Sequence, residues 1–331
     1  MAAPTLDVVG IGNAIVDVLV QVDDAFLACQ GLNKGTMALI DAGQAEALYA
    51  KMVAGRECSG GSVANSIAGI ASLGGKGAYI GKLGGDSLGA TFACDLKSLG
   101  VQFGTKPMQG GPATARCLIL VTPDAQRTMN TFLGACVELG PEDIDASVIA
   151  AAQVTYLEGY LFDPPRAMAA FRKAAELAHK SQRKVALSLS DPFCVDRHRA
   201  EFFDLVKAHV DILFANEREI CSLYETEHFE RAAAAVRGHC DIAVLTRSEH
   251  GANIVTATEM LHAPAAPVAK VVDTTGAGDL YAAGFLFGLT RGRDLVTCGK
   301  LGALCAAEII SHFGARPETS LKELAHRQGL L

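Results

Sequence analysis

The chain has 331 residues, of which 50% are hydrophobic and 20% are charged, and its formal net charge is −7. A half-apolar composition can bury a large core, which excludes an intrinsically disordered protein. The acidic balance argues against a dedicated nucleic-acid-binding protein, which would carry a basic face. We therefore expect a globular enzyme or binding protein that has no nucleic-acid partner.

The features that bear on the cellular compartment point to the cytoplasm. The N-terminus lacks the basic and apolar segments of a secretory signal. The longest uncharged runs, such as 58–75, are too rich in Gly, Ser and Asn for a membrane span. The ten cysteines are scattered and never form C-x-x-C, so reduced thiols are expected rather than disulfides or a zinc site. We expect a cytoplasmic protein with no membrane partner.

The first part of the chain mixes β segments with helices. In chain order, the pattern predicts strands at 6–12 and 14–22, a short strand at 34–40, a helix at 45–53, a helix from 62 to the glycines at 74–75, a strand at 78–81, a helix at 87–99, and a hairpin of strands at 114–121 and 127–133. The hairpin turns at Pro123 and Asp124, which are common turn residues.

From residue 141 onward strands and helices alternate regularly. The predicted order is strand 154–157, helix 165–180, strand 184–189, helix 199–209, strand 211–214, helix 217–224 and strand 242–245. This alternation predicts an α/β fold with a mostly parallel sheet and helices on both faces. The β-only pieces interrupt the alternation, and we interpret them as a small lid at 13–42 and 106–135. The main domain would then comprise 1–12, 43–105 and 136–331.

The strongest motif is Asp-Thr-Thr-Gly-Ala-Gly-Asp at 273–279, directly before an apolar helical pattern. The order places Gly276, Ala277 and Gly278 at a helix N-terminus. Two glycines let the backbone approach a ligand, and free N–H groups at the positive end of the helix dipole attract an anion. The motif therefore suits a phosphoryl group.

Asp279 follows this loop, where its carboxylate would repel the anion that the loop attracts. The charge makes sense if Asp279 takes a proton from an attacking hydroxyl during phosphoryl transfer. The alternative is a structural aspartate that caps the helix or stabilises its first turn.

Two further motifs bear on this choice: a Gly60-Gly61 pair followed by Asn65, and Asn216 three residues before Glu219. With all three motifs in order, essentially the whole chain resembles the ribokinase-like (PfkB-type) carbohydrate kinases. The resemblance implies a three-layer αβα ribokinase-like fold with a mostly parallel central sheet and a small β-sheet lid. It also implies ATP and Mg²⁺, and it raises K⁺ as a further cofactor.

The resemblance assigns roles on the phosphoryl side of the site. The implied catalytic residues are Asp279 as the general base, Gly276, Ala277 and Gly278 as the amides that stabilise the γ-phosphoryl, and Arg127 as a cation that reaches the phosphates on lid closure. The implied nucleotide-binding residues are Asn216, Glu219, Thr246 and Gly251, with Glu219 holding Mg²⁺ through water. Asp273, Thr275 and the loop 310–314 resemble a monovalent-cation site. An ordinary exposed arginine is the alternative for Arg127.

On the acceptor side, the residues that match the family's hydroxyl-binding positions are Asn13, Asp17, Gly61 and Asn65. A carboxylate and two amides suit the vicinal hydroxyls of a ribose-like ring, although Asp17 alone would be interpreted as a solvent-facing strand residue. Several stretches look most like the adenosine kinases of this family. By position, Met129, Tyr160 and Phe193 would enclose a purine. The alternative is that the two aromatic residues belong to the core.

These patterns lead to a kinase hypothesis with open alternatives. We expect an ATP-dependent kinase that phosphorylates a primary hydroxyl of a nucleoside, in the first place the 5′-hydroxyl of adenosine, giving AMP. A sugar kinase acting on ribose, fructose or a related sugar is the first alternative. A non-catalytic nucleoside-binding sensor is the second. The sequence leaves monomer and homodimer open.

Overall fold

A computed structural model describes residues 3–52, 55–124, 126–162 and 164–331. The described strands are β1 (Leu6–Ile11), β2 (Ile15–Gln21), β3 (Met37–Leu39), β4 (Arg56–Gly60), β5 (Gly77–Ile80), β6 (Gln102–Phe103), β7 (Ala115–Val121), β8 (Arg127–Phe132), β9 (Ala152–Glu158), β10 (Lys184–Ser188), β11 (Ile212–Asn216), β12 (Ile242–Thr246), β13 (Ala252–Val255) and β14 (Met260–Ala263).

The described α-helices alternate with these strands along much of the chain. They are α1 (Asp24–Cys29), α2 (Ala42–Tyr49), α3 (Ser62–Ser72), α4 (Ser87–Ser98), α5 (Ala146–Ala151), α6 (Pro165–Lys180), α7 (Pro192–Arg197), α8 (Arg199–His209), α9 (Glu217–Leu223), α10 (Phe229–Ala235), α11 (Ala277–Thr290), α12 (Leu295–Ile309) and α13 (Leu321–Arg327). Within the described ranges, none of the helices combines the length and hydrophobicity needed to cross a bilayer.

The central sheet of the described chain has the strand order β14-β13-β12-β11-β10-β9-β1-β5-β6. Its strands run parallel from β12 to β6, while β13 and β14 are antiparallel at one edge. Alternate residues of β1 enter different cores: Val8 packs in the core on one face, and Val9 and Ile11 pack in the core on the other. Two apolar cores on one sheet make three layers, which confirms the predicted αβα arrangement around a mostly parallel central sheet.

The second sheet has the order β3-β8-β7-β2-β4 and corresponds to the predicted lid. Its membership differs from our sequence division, which placed 43–105 in the main domain. The strand Arg56–Gly60 pairs antiparallel with β2 instead, and α2 packs on β7 and β8. The lid sheet therefore includes a segment that leads directly into α3 of the main domain.

The predicted boundaries agree closely where the apolar pattern is long. The helices at 165–180 and 199–209 coincide with Pro165–Lys180 and Arg199–His209. The predicted helix at 45–53 begins earlier, at Ala42, because Asp41 and Gln44 form a capping box there; position 53 lies outside the described residues. The elements that the sequence analysis did not assign are α1, β4, β6, α5, α7, α10, β13, β14, α12 and α13.

Close packing of α3 against α11 brings the two helix N-termini together. A Cβ placed on Gly69 would lie 2.6 Å from Leu280 Cδ1 and 2.8 Å from Ala283 Cβ, so glycine allows this approach. Both helices begin near the carboxyl ends of the parallel strands, which is where ligands bind in open α/β sheets. The motifs from three distant parts of the sequence therefore meet at one edge.

Candidate active site

The 276–279 loop forms the start of α11, as the sequence predicts. Gly276 is the N-cap and adopts a left-handed backbone with φ 79°. Ala277 N–H donates to Thr274 O at 3.2 Å, so this amide is engaged within the loop. The N–H groups of Gly278 and Asp279 lie in the first turn, where an α-helix supplies no acceptor. These two amides, rather than that of Ala277, are free to bind an anion.

Asp279 lies at the junction of the two helices, and α3 holds its carboxylate from two sides. Ser62 Oγ donates to Oδ1 at 2.6 Å, and Asn65 Nδ2 donates to Oδ2 at 2.9 Å. Ser66 Oγ donates to the Asp279 backbone oxygen at 2.9 Å. Burial raises the pKa of Asp279, and the hydrogen bonds from Ser62 and Asn65 oppose that rise. The carboxylate is therefore fixed in place and has a raised affinity for a proton.

Asn13 is held in a similar way by Glu158, a residue that sequence analysis missed. Asn13 Nδ2 donates to Glu158 Oε1 at 2.8 Å, and Val63 N–H donates to Oε2 at 3.0 Å. Because carboxylates accept and do not donate, the carbonyl oxygens of Asn13 and Asn65 must point away from Glu158 and Asp279. Both Oδ1 atoms are buried and lack a hydrogen-bond partner in the described part of the chain. They present two acceptors to hydroxyl groups.

Asp17 adds a third acceptor from the lid. Its carboxylate lies beside the Gly60-Gly61 junction, since a Cβ on Gly60 would fall 2.4 Å from Oδ2. Gly61 has φ 93°, and a Cβ there would lie 2.3 Å from Asn13 O, so this position requires glycine. Burial raises the pKa of Asp17 to about 6, while the charge of Arg316 lowers it. The structure thus brings Asn13, Asp17, Gly61 and Asn65 together.

The nucleotide-side candidates lie at the carboxyl ends of neighbouring strands. Asn216 is the N-cap of α9, and Glu219 N–H donates to its Oδ1 at 2.9 Å. Glu219 accepts in return from Asn216 Nδ2 at 2.6 Å. Asn216 is also the register partner of Thr246 on β12. Gly251 lies just beyond, with φ 76°.

Arg127 reaches from the lid to Asp273 and Thr275, directly before the 276–279 loop. Its Nη1 donates to Thr275 Oγ1 at 2.9 Å, and Nη2 forms an ion pair with Asp273 Oδ2. The guanidinium carbon lies 5.8 Å from the centre of the Phe313 ring. The lid and the loop are therefore already in contact at this point.

The three residues predicted to enclose a base do not form a buried core. Tyr160 is 43% exposed and Phe193 is 68% exposed. Burial raises the pKa of the Tyr160 hydroxyl, as do the negative charges of Asp191 and Asp279. Strand register places Met129 on the same lid face as Arg127, together with Leu19, Ile119 and Met37.

The family model for the "pfkB family carbohydrate kinase" matches residues 40–321. The chain belongs to the pfkB family.

Relatives of this pfkB protein include nucleoside and sugar kinases. A solved structure described as adenosine kinase from Sinorhizobium meliloti is 53% identical, with a TM-score of 0.89 and coverage of 98% of this chain and 99% of that one. A probable sugar kinase from Rhizobium etli is 51% identical, with a TM-score of 0.91 and coverage of 99% and 100%. The adenosine kinase of Saccharomyces cerevisiae is 27% identical across 94% of this chain and 96% of its own length.

Family membership fixes the reaction class. The chain is a nucleoside or sugar kinase, a phosphotransferase with an alcohol group as acceptor. A kinase of the pfkB family implies ATP as the phosphoryl donor. This outcome confirms the enzyme class predicted from the three motifs.

The donor set of this pfkB kinase fits Mg²⁺. Burial raises the pKa of Glu219 to about 7, and the charges of Asp191 and Asp279 add to the rise, so a cation there would relieve unfavourable negative charge. The described residues contain no group of three or more His, Cys, Asp or Glu side chains that could hold a metal ion. Mg²⁺ commonly uses one or two carboxylates together with substrate phosphates and water.

The Asp273 and Thr275 side chains, which the resemblance assigns to a K⁺ site, are engaged with other groups. Asp273 Oδ1 accepts from Thr275 N–H at 3.0 Å and from its hydroxyl at 2.7 Å. Asp273 Oδ2 accepts from Gly314 N–H at 3.0 Å and pairs with Arg127. The Arg127 guanidinium therefore places a positive charge beside Asp273.

Several contributing residues of this pfkB site were not found from the sequence. Glu158 carried a weak signal, as a carboxylate at the carboxyl end of a buried strand. Ser62 shares a helix face with Asn65 and Ser66, which lie three and four residues after it. Arg316 carried no signal, because its contacts are with residues more than 250 positions away.

Proposed function

We propose that this kinase transfers the γ-phosphoryl group of ATP to the 5′-hydroxyl of adenosine. The observation that carries the proposal is that hydrogen-bond acceptors and exposed aromatic rings both occur in the candidate site of Asp279. Three hydrogen-bond acceptors, on Asn13, Asp17 and Asn65, suit the hydroxyls of a ribose. The exposed rings of Tyr160 and Phe193 offer aromatic faces to a planar base.

In the proposed reaction, Asp279 removes the proton from the acceptor hydroxyl as its oxygen attacks the γ-phosphorus. The bond from that phosphorus to the bridging oxygen breaks, and ADP leaves. The first-turn amides of Gly278 and Asp279 stabilise the negative charge on the transferring oxygens. Arg127 contributes a positive charge at the same end of α11. Asn216 and Glu219 would hold Mg²⁺, which neutralises phosphate charge when it is bound.

Each remaining candidate has a proposed place in this complex. Asn65 orients Asp279 in addition to contacting the acceptor, because its amide donates to that carboxylate. Glycine at position 61 lets the chain between the lid and α3 pass close to the Asn13 backbone. Met129 contributes an apolar contact to the purine. Thr246 and Gly251 line the nucleotide side.

A sugar acceptor is the second candidate function. The structure from Rhizobium etli that is 51% identical is described as a probable sugar kinase. The hydroxyl-binding acceptors suit a free sugar equally well. The two candidates differ in whether the aromatic faces contribute to acceptor binding.

An acceptor screen with a matched variant separates the two. We expect ADP release with adenosine to exceed that with ribose or fructose by at least about 100-fold in kcat/KM, since loss of a stacked base costs several kcal/mol. Phe193→Ala should lower kcat/KM for adenosine about tenfold and leave any activity on ribose unchanged. Met260→Ala, which truncates an exposed side chain on β14, serves as the control. Preference for a sugar by the parent enzyme would contradict the adenosine assignment.

The pH dependence of acceptor use should have an acidic limb near pH 6. Burial raises the pKa of Asp17 to about 6; Arg316 and Arg127 lower it, and Asp279 raises it. Cys58 Sγ also faces this residue, 3.9 Å from its backbone oxygen. Only the ionised carboxylate accepts without donating, so kcat/KM should fall as the pH drops through about 6, by up to about tenfold per unit. Steady-state rates from about pH 5 to 9 measure this.

The control for this profile is thermal unfolding over the same pH range, which shows whether the protein stays folded. The raised pKa of Asp279 acts in the same direction, as does that of Glu158, which burial raises to about 7 and which holds Asn13. A flat profile down to about pH 5 in folded protein would rule out the requirement for an ionised Asp17.

A further inference from the structure

Residues 314–316, which follow α12, contact three separate parts of the site. Gly314 N–H donates to Asp273 Oδ2 at 3.0 Å. Ala315 packs beneath the phosphate loop, because a Cβ on Gly276 would lie 2.9 Å from its Cβ. Arg316 extends to the junction between the lid and the main domain. Three successive residues therefore link the loop that binds phosphate to the segment that carries the lid.

The Arg316 guanidinium spans that junction with four hydrogen bonds. Nε and Nη2 donate to Ser59 O at 3.0 and 2.9 Å, and Nη2 also donates to Ser59 Oγ at 2.8 Å. Nη1 donates to Ala64 O at 2.7 Å. Ser59 belongs to β4 of the lid sheet, whereas Ala64 lies in the first turn of α3. The planar guanidinium thus holds both sides of the Gly60-Gly61 connection in one geometry.

Asp95 completes this arrangement from α4. Its Oδ2 accepts from Ser59 N–H at 3.0 Å and from the Ser59 hydroxyl. Ser59 is therefore fixed between a carboxylate and a guanidinium. The charge of Arg316 also opposes the rise that burial causes in the pKa of Asp17 and of Asp279. The half-buried Arg316 guanidinium therefore fixes Ser59 at the lid junction and also lowers the pKa of Asp17 and of Asp279.

We propose that Arg316 is a positioning residue that couples the placement of the lid over the acceptor to the placement of the phosphate loop. Acceptor binding beneath the lid and nucleotide binding at the loop then strengthen each other through residues 314–316. The coupling uses the proposed function only in that the acceptor binds between the lid and α3. Arg316 contacts neither reacting group directly.

Calorimetric titration of adenosine, with and without a non-hydrolysable ATP analogue and Mg²⁺, measures the coupling. For the parent protein we expect the analogue to lower the Kd of adenosine at least about fivefold. In Arg316→Gln this ratio should fall to about 1, because the amide cannot span Ser59 and Ala64. Arg316→Lys keeps the charge but offers a single donor group, so its ratio should also stay near 1.

A structural role alone would not change this ratio. Loss of a purely structural contact would lower the melting temperature or the fraction of binding-competent protein. The ratio of the adenosine Kd values measured without and with the ATP analogue would not change. Arg291→Gln is the matched control, since Arg291 pairs with Asp7 at 3.0 and 2.9 Å at the opposite end of α11. That variant should retain the parent's ratio.

Three results would overturn the coupling: a parent ratio of 1, a parent-like ratio in Arg316→Gln, or full rescue by Arg316→Lys, which would assign the effect to charge alone. Failure of the adenosine assignment is seen separately, as absence of adenosine turnover in the acceptor screen. The titration is then run with the acceptor that the screen identifies, and the same outcomes apply.

Discussion

Asp279→Asn should lower kcat by about 10²- to 10⁴-fold, the range that a positioned general base contributes. The KM for adenosine should change by no more than about threefold, because the hydroxyl-binding acceptors remain. The substitution is nearly isosteric. The amide oxygen of the new side chain can still accept from Asn65 Nδ2, and its amide nitrogen can donate to the Ser62 hydroxyl, so Asn65 Oδ1 stays directed at the acceptor. Steady-state kinetics together with thermal unfolding measure both quantities.

Asp294→Asn is the matched control for this variant. Asp294 caps α12 and accepts from Thr297 N–H, and asparagine caps helices equally well. Its activity should therefore equal that of the parent. Parental kcat in Asp279→Asn would assign Asp279 to the structural role left open by the sequence, that of stabilising the first turn of α11.

Gly278→Ala should abolish most activity without weakening the fold. A Cβ at this position meets no protein atom within 4 Å, so packing does not require glycine there. Alanine in a helix is favoured over glycine by about 0.5–1 kcal/mol, and the melting temperature should stay constant or rise. The methyl group would occupy the space in front of the first-turn amides. We expect kcat to fall about 10²- to 10³-fold, as when a group that stabilises the transition-state oxyanion is lost.

Gly284→Ala, in the same helix, should show the opposite profile. A Cβ on Gly284 would lie 2.4 Å from Leu301 O, so α11 and α12 would have to separate. Its melting temperature should fall, while the folded fraction retains the parent's kcat. Full activity in Gly278→Ala would show that no ligand approaches the helix at that residue.

Much of the fold could be predicted because the apolar periodicity is strong where elements are long. The helix Pro165–Lys180 has a clear apolar face and clear ends, and its bounds match the prediction. The strand Arg56–Gly60 could not be found in this way. Its sequence, Arg-Glu-Cys-Ser-Gly, has no apolar alternation, and it becomes a strand because β2 offers an unpaired edge.

In the candidate site, too, motifs formed by sequence neighbours could be predicted, whereas contacts between residues far apart in the sequence could not. The loop at 276–279 and the pair Asn216–Glu219 were visible because their residues are neighbours in sequence. The contacts of Glu158 with Asn13 and of Arg316 with Ser59 join residues 145 and 257 positions apart. No periodicity encodes such pairs, because they arise only when distant segments come together in the folded chain.

The separation between Tyr160 and Phe193 on one side and the Gly60-Gly61 connection on the other has an evolutionary consequence. Tyr160 and Phe193 follow strands β9 and β10 of the central sheet, whereas Asn13, Asp17 and Gly61 lie where the lid sheet joins the main domain. Under the proposed function, mutations at the two rings would alter base recognition and leave the Gly60-Gly61 connection unchanged. Such modularity offers a physical route by which one catalytic apparatus could diversify from bare sugars to nucleosides.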